Sequence, residues 1–211
     1  MENAQNTDEG GKSVEHKEKI NNENYINGKK AEDLFIKYLN IQRIPFYYID
    51  QGPESFSDEL HLKHIVRPDY IVHTKKGVFY VDVKYRSKEP VCPNGEERFR
   101  LKQDVINGLL NFQDELHSDV WVAFTDNKTP NFFYMPISEI YEFSRRILEE
   151  VNKNYSKEDK FKFKNGLIYI PEQLLYNCLS FDNGFYKKQD ESFYKAEAKC
   201  HIDKSYKEKP Q

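Results

Sequence analysis

One eight-residue run, Val78-Phe-Tyr-Val-Asp-Val-Lys-Tyr85, constrains this chain more than any other segment. It is built of β-branched and aromatic residues, which strands favour, and strand side chains alternate between two faces. Phe79, Val81, Val83 and Tyr85 share one face, wholly apolar, which must lie in a core. Val78, Tyr80, Asp82 and Lys84 share the other, which begins apolar and ends with an acid and a lysine side by side. Asp is a poor strand former, so its place at the end of a core strand needs a reason other than packing.

A partner strand precedes it. Pro68-Asp-Tyr-Ile-Val-His73 connects to Val78 through Thr74-Lys-Lys-Gly77, a glycine-containing link of hairpin length. With the turn centred near residues 75–76, Asp69 falls opposite Asp82 at the same end of the two strands. Two carboxylates held together without a counterion repel, and one stays protonated. A hard divalent cation such as Mg²⁺ removes that conflict, because it takes oxygen ligands at ~2.1 Å. Upstream, Ala31, Leu34, Phe35, Tyr38 and Leu39 recur at helical spacing, predicting a helix over about 28–41 that ends before Ile44-Pro45. Glu32 sits at the border of its apolar stripe, placed to reach toward the sheet as a third acid.

The rest of the chain frames this hairpin. Phe46–Ile49 reads as a short strand and Gln51–Lys63 as a loop. Arg86–Glu97 carries Pro90, Pro93 and Asn94-Gly95, which argue against regular structure there. A helix is expected over 98–116, strands over Asp119–Asp126 and Asn131–Met135, and a helix over Ile137–Val151. A strand over Gly166–Ile170 and a short helix over Pro171–Leu179 follow. That order predicts an α/β fold, a central mixed sheet flanked by helices, over residues 24–186. Residues 1–23 are polar and without Phe, Tyr or Trp, so they read as disordered. Residues 187–211 read as a flexible polar tail with at most a frayed helix.

Charge narrows the classes. The net formal charge is −3, distributed as −3 over residues 1–23, −2 over 24–186 and +2 over 187–211. A chain relying on nonspecific phosphate affinity is normally basic, so nucleic-acid binding here needs a local patch or a bound metal. No apolar run approaches the ~18 residues of a membrane span, and the first residues lack the apolar core of a signal peptide. Cys92, Cys178 and Cys200 are widely separated and suggest neither a disulfide framework nor a metal knuckle. A reduced, cytoplasmic protein that does not enter membranes is the expectation.

Taken together, Gly28-x-x-x-Glu32, Pro68-Asp69 and Asp82-Val83-Lys84 resemble the PD-(D/E)xK nuclease superfamily, the restriction-endonuclease-like fold shared with Holliday junction resolvases. The likeness spans residues 28–126, about half the chain, with the family's core order of helix, three strands, helix and strand. An acid-x-Lys triplet alone is weak, since Glu15-x-Lys17 and Glu158-x-Lys160 occur here away from any apolar strand. The ordered combination is far more specific. The resemblance implies a catalytic set of Glu32, Asp69, Asp82 and Lys84. It also implies a metal held by Asp69, Asp82, the Val83 carbonyl and Glu32, with Mg²⁺ as cofactor and Mn²⁺ as substitute. The implied activity is that of a phosphodiesterase, a DNA endonuclease in which the metal polarises phosphate and lowers the pKa of an attacking water. The alternative is a catalytically inactive nucleic-acid-binding or assembly module on the same fold.

Supporting residues are less specific. Lys102 and Gln103 lie on the polar side of the helix predicted over 98–116, and Arg86, Lys88, Arg98 and Arg100 flank the proline-rich loop. Each could contact phosphate, which orients a strand without reading it, or be a solvated side chain. His73 shares a face with Asp69, while His61 and His64 lack partners at zinc-ligand spacing. Tyr80 reads as packing, and Tyr47, Tyr48, Tyr134 and Tyr141 as edge-of-core residues that could instead stack on bases. No separate DNA-reading module is visible. The expected partner is therefore nucleic acid, DNA first, recognised by its structure or through a protein partner that supplies specificity, and a homodimer is also allowed.

Overall fold

The computed structural model describes residues 9–55, 57–75, 77–85, 89–90, 97–126, 131–156, 166–176 and 189–207. In chain order the elements are α1 (Glu9–Ile41), β1 (Phe46–Tyr48), α2 (Asp58–Leu62), β2 (Tyr70–Thr74), β3 (Gly77–Tyr85), β4 (Glu89–Pro90) and β5 (Glu97–Lys102). These are followed by α3 (Gln103–Leu116), β6 (Val120–Thr125), β7 (Phe133–Pro136), α4 (Ile137–Asn154), β8 (Leu167–Pro171) and α5 (Glu191–Lys207).

Every residue of β6 is buried, because it lies inside a five-stranded sheet of order β1-β2-β3-β6-β7. The sheet is mixed: β3 and β6 run parallel, and the other neighbours are antiparallel. A parallel pair needs a crossover, here supplied by the segment that contains β4, β5 and α3. Period-two alternation in β6 divides the interior. Trp121 and Ala123 join Phe35, Tyr70, Val81 and Val83 beneath α1. Val120, Val122 and Phe124 join Leu109, Phe112, Phe143 and Ile147 beneath α3 and α4. The α/β architecture with a mixed sheet between helices is thus as expected.

Several expectations need correction. The helix predicted from 28 begins at Glu9. Residues 9–23 have no apolar stripe, but their Glu and Lys are good helix formers, and extending an existing helix is far cheaper than nucleating one. The segment 97–102 is a strand rather than the first turns of a helix. Phe99 and Leu101 alternate into the core, and β5 pairs antiparallel with β8. Within the expected loop Arg86–Glu97, Glu89 and Pro90 pair with β5 as an edge strand, a sheet position that tolerates a proline. Gln51–Lys63 contains a 3₁₀ turn at Pro53–Ser55 as well as α2.

The expected flexible tail is largely α5, docked on α4, with Tyr194, Ala198 and Ile202 buried in the core. Its apolar residues are sparse, and its hold on the fold includes polar anchors. Buried Arg98 of β5 pairs with buried Glu197, and the Tyr169 amide donates to His201 Nε2 at 3.0 Å. Cys200, on the same helix, is disulfide-bonded, contrary to the reading of three separate thiols. Among the described residues, no helix is long and apolar enough to cross a membrane.

Candidate functional site

The hairpin expected from sequence forms with Tyr70 opposite Val81 and His73 opposite Val78. One step beyond that ladder, Asp69 comes opposite Asp82. Asp69 follows Pro68, whose ring stiffens the entry to β2, and backbone bonds fix it on two sides. Its amide donates to Val81 O at 3.0 Å, and its carbonyl accepts from the Ile49 amide at 2.9 Å. Its carboxylate is then held across the hairpin, Oδ2 accepting from the Val83 amide at 2.7 Å.

Asp82 is only 1% exposed. Lys84, two residues on and so on the same face, puts its ammonium 2.9 Å from Asp82 Oδ1 and 2.8 Å from Oδ2. Burying a lone carboxylate is prohibitively costly, and the Lys84 ammonium offsets part of that cost for Asp82. Asp69 is less fortunate. Burial, and then the charge of Asp82, push its carboxyl up to about 7, while Lys84 and the Val83 amide pull the other way and Glu32 adds a smaller upward push. The two carboxylates therefore repel each other across the hairpin.

A loop braces the entry to β2. Arg67 donates to the carbonyls of Asp50 at 2.9 Å, Gln51 at 2.9 Å and Gly52 at 3.1 Å, and Gln51 Nε2 donates to Pro68 O at 3.0 Å. Sequence reading missed Arg67; its position directly before Pro68-Asp69 was the available signal.

The other expected residues divide. Val83 is buried, and its amide engages Asp69. Glu32 lies near enough for its charge to act on Asp69, yet its carboxylate is paired with Lys29 at 3.1 Å. Among the described residues, no three His, Cys, Asp or Glu side chains are gathered as a metal-holding group. Lys102 ends β5, exposed, and Gln103 opens α3 with its amide on Asn107 Oδ1 at 3.0 Å and Ser144 Oγ at 3.4 Å. Arg100 is half-buried on β5, and Arg86 and Lys88 lie outside the described residues. Arg98, expected to be available to phosphate, is instead buried against Glu197. It alternates with Phe99 and so lies on the opposite face of β5, where Glu197 of α5 meets it.

Aromatic residues also differ from one another. Tyr80 packs edge-on against Phe112 with centroids 4.9 Å apart, and Tyr134 is buried. Tyr47 meets the His73 ring at 5.4 Å on the other side of β1. Tyr48 stays half-exposed beside Lys29, whose ammonium lies 5.8 Å from its ring centroid.

No family model matches the chain, and no curated protein matches it. Among solved structures, the Holliday junction resolvase Hjc of Archaeoglobus fulgidus aligns over 53% of this chain and 78% of its own. That alignment has 16% identity and a TM-score of 0.39. A likeness so slight assigns nothing to this chain, whose strand order, register and carboxylate geometry stand on their own.

Proposed function

We propose that the chain is a metal-dependent nuclease of the PD-(D/E)xK type, hydrolysing phosphodiester bonds in DNA as an endonuclease. The observation that carries this reading is the opposition of two carboxylates, Asp69 and Asp82, across a hairpin, with the Asp69 carboxyl pushed up by burial and by the Asp82 charge although the Lys84 ammonium lies against Asp82. A divalent cation sharing the site would relieve the repulsion between the two acids.

The donor set fits Mg²⁺. Asp69, Asp82 and the Val83 carbonyl, which leaves the strand on the same edge as its amide, are all hard oxygen donors. Mg²⁺ is commonly held by one or two carboxylates and keeps several waters, so it does not require Glu32, which remains the outer acid of the set. A bound divalent cation supplies Lewis acidity toward phosphate and lowers the pKa of water. The chain's own residues do the rest. Val83 N–H orients the Asp69 carboxylate, and Asp82 holds the Lys84 ammonium. Lys84, a compact point charge, stabilises charge developing on the phosphate oxygens or orients the attacking water. Lys102 and Arg100 are candidates for phosphate contact farther along the bound strand.

One observation favours a second reading, an inactive nucleic-acid-binding module. Lys84 already reaches both oxygens of Asp82, and no third ligating side chain is gathered there among the described residues. Cleavage of single-stranded, duplex and branched DNA and of RNA in Mg²⁺ and Mn²⁺ separates the two. The nuclease reading expects cleavage that Lys84→Ala and Asp82→Asn abolish. Equal activity in the variants removes the mechanism, and Mg²⁺ calorimetry unchanged by Asp82→Ala favours the binding module.

A further inference from the structure

We propose that Arg67 and Gln51 are positioning residues for Asp69: they fix where its carboxylate stands and so set how tightly the site takes a divalent cation. The inference rests on the metal site of the nuclease reading above. Asp69 occupies a weak place in the fold. It stands one residue before β2, and the paired registers of β2 with both neighbours stop at Tyr70. Pro68 before it has no N–H to give to a neighbouring strand. The loop that follows β1 supplies what the ladders do not.

The Arg67 guanidinium is half-buried and turned onto residues 50–55. Nη1 donates to Asp50 O at 2.9 Å and to Ser55 Oγ at 2.5 Å, and Nη2 donates to Gln51 O at 2.9 Å and to Gly52 O at 3.1 Å. Those four bonds occupy the four Nη hydrogens and leave none of them for phosphate. The turn they grip is already closed on itself. The Gly52 amide donates to Asp50 Oδ1 at 2.8 Å, and Ser55 Oγ lies 2.9 Å from Asp50 O and 2.8 Å from Gly52 O. Gln51 returns the grip, its Nε2 donating to Pro68 O at 3.0 Å and to Ile49 O at 3.2 Å. The Ile49 amide then donates to Asp69 O at 2.9 Å. Arg67, Pro68 and Asp69 are thus each tied to the same loop, the first by its side chain and the others by their carbonyls.

The clasp acts on the carboxylate more than on the fold at large. Among the described residues, none of 50–55 belongs to either core, so the loop adds little by burial. What it holds is the backbone leading into Asp69, whose other side is fixed by its amide on Val81 O and by Oδ2 on the Val83 amide. A small rotation at 68–69 would swing Oδ2 off that amide. Mg²⁺ demands near-ideal octahedral geometry, and groups that orient a ligating carboxylate weigh almost as much as the ligand itself. Lysine cannot stand in for Arg67, because a single ammonium does not present a planar fork to several carbonyls.

The test uses the full chain and reads Mn²⁺ affinity by calorimetry and, in metal-free protein, amide protection by NMR hydrogen exchange. Arg67→Met and Arg67→Lys are each expected to weaken Mn²⁺ binding about tenfold, since neither side chain makes the fork. Gln51→Met, a change at an exposed residue, breaks the link to Pro68 and should weaken binding in the same direction. It decides the matter where an Arg67 variant does not fold. In all three the Val83 amide, which reports the Asp69 carboxylate, should lose protection, while Tyr80, whose amide donates to Asp119 O at 2.9 Å, keeps it. The clasp is overturned if Mn²⁺ affinity is unchanged or if Arg67→Lys preserves it. It is overturned too if Val83 and Tyr80 lose protection together, the mark of a merely structural brace. A wild type that takes up no Mn²⁺ overturns it along with the nuclease. Cleavage of DNA in Mn²⁺ is scored separately. A wild type that binds the ion more tightly than the variants but cuts nothing removes the nuclease and leaves the clasp. One that cuts while the variants bind the ion normally removes the clasp and leaves the nuclease.

Discussion

The Val83 amide donates to Asp69 Oδ2 at 2.7 Å, so a carboxylate at the entry to one strand is fixed to the backbone of the next. Asp69 cannot swing away from Asp82 without breaking that bond. Yet its carboxyl is held near pH 7, because burial and Asp82 outweigh the stabilising amide. A rigid acid with an unfavourable charge makes stability depend on both pH and cations.

Asp69 therefore has a defined pH signature. Its folded pKa, up from 3.8 to about 7, lies above that of the unfolded chain, so the native state holds the proton more tightly. The associated stability, about 4 kcal/mol at most, is complete below pH ~4 and lost as the pH rises through ~7. Metal-free protein should melt at progressively lower temperature between about pH 4 and 7 and level off above that. Asp69→Asn should flatten that limb, and Mg²⁺ at pH 8 should raise the melting temperature of wild type but not of Asp69→Asn. Differential scanning fluorimetry across the pH series reads all three.

Removing Lys84 takes a charged partner from buried Asp82. Lys84→Ala takes the ammonium from a carboxylate that is 1% exposed, and breaking a buried pair from one side costs roughly 3–5 kcal/mol. Because Lys84 retains some solvent access, the lower end of that range is expected. Urea denaturation should show the loss, and Lys84→Ala/Asp82→Asn should recover most of it. An active nuclease would lose cleavage in both variants, which separates the structural role of Lys84 from its chemical one.

His201 sets an acid limit on the C-terminal helix. Burial lowers its pKa from 6.5 to about 4, with the Arg98 charge adding to the drop and the Glu197 carbonyl opposing it. Nε2 accepts from Tyr169 N–H, so the ring is neutral with its proton on Nδ1, 2.8 Å from Glu197 O. A depressed folded pKa contributes stability that is present above pH ~6.5 and lost as the pH falls through ~4, about 3 kcal/mol at most. Hydrogen exchange over α5 should accelerate between those limits. His201→Gln, which offers Tyr169 an acceptor that does not titrate, should remove the pH dependence.

Gly108 is needed for contact rather than for conformation. A Cβ there would lie 2.4 Å from Val66 Cγ2 and 3.0 Å from His64 O, where the Val66 amide also bonds Gly108 O at 3.0 Å. Alanine is the better helix former by about 1 kcal/mol, but overpacking typically costs 1–3 kcal/mol. Gly108→Ala should therefore lower stability by roughly 1 kcal/mol in chemical denaturation, against the propensity scale.

Legibility of the site followed the range of the interactions. The β2–β3 register was readable because the pairing is local. A short link between two apolar runs leaves little freedom in which residues face each other, and the pleat then puts Asp82 and Lys84 on one side. Glu32 was read only halfway, since helical periodicity assigns a face but not the Lys29 pair that holds its carboxylate. Lys102 was assigned to the wrong element for a similar reason, whereas Gln103 does stand on the helix. Phe99 and Leu101 fit either period over so short a run, and only pairing with β8 makes 97–102 a strand.

What the chain determines by itself is therefore its local alternation: the two faces of β3, the hairpin opposing Asp69 to Asp82, and a buried β6. These depend on side-chain period and on contacts a few residues apart, which are written directly in residue order. Only the tertiary structure decided that Arg98 turns inward to Glu197, that α5 packs on α4 instead of fraying, and that Tyr48 rests on Tyr70 below Lys29. Each joins residues far apart in sequence, whose meeting depends on where whole elements dock. No local period encodes that.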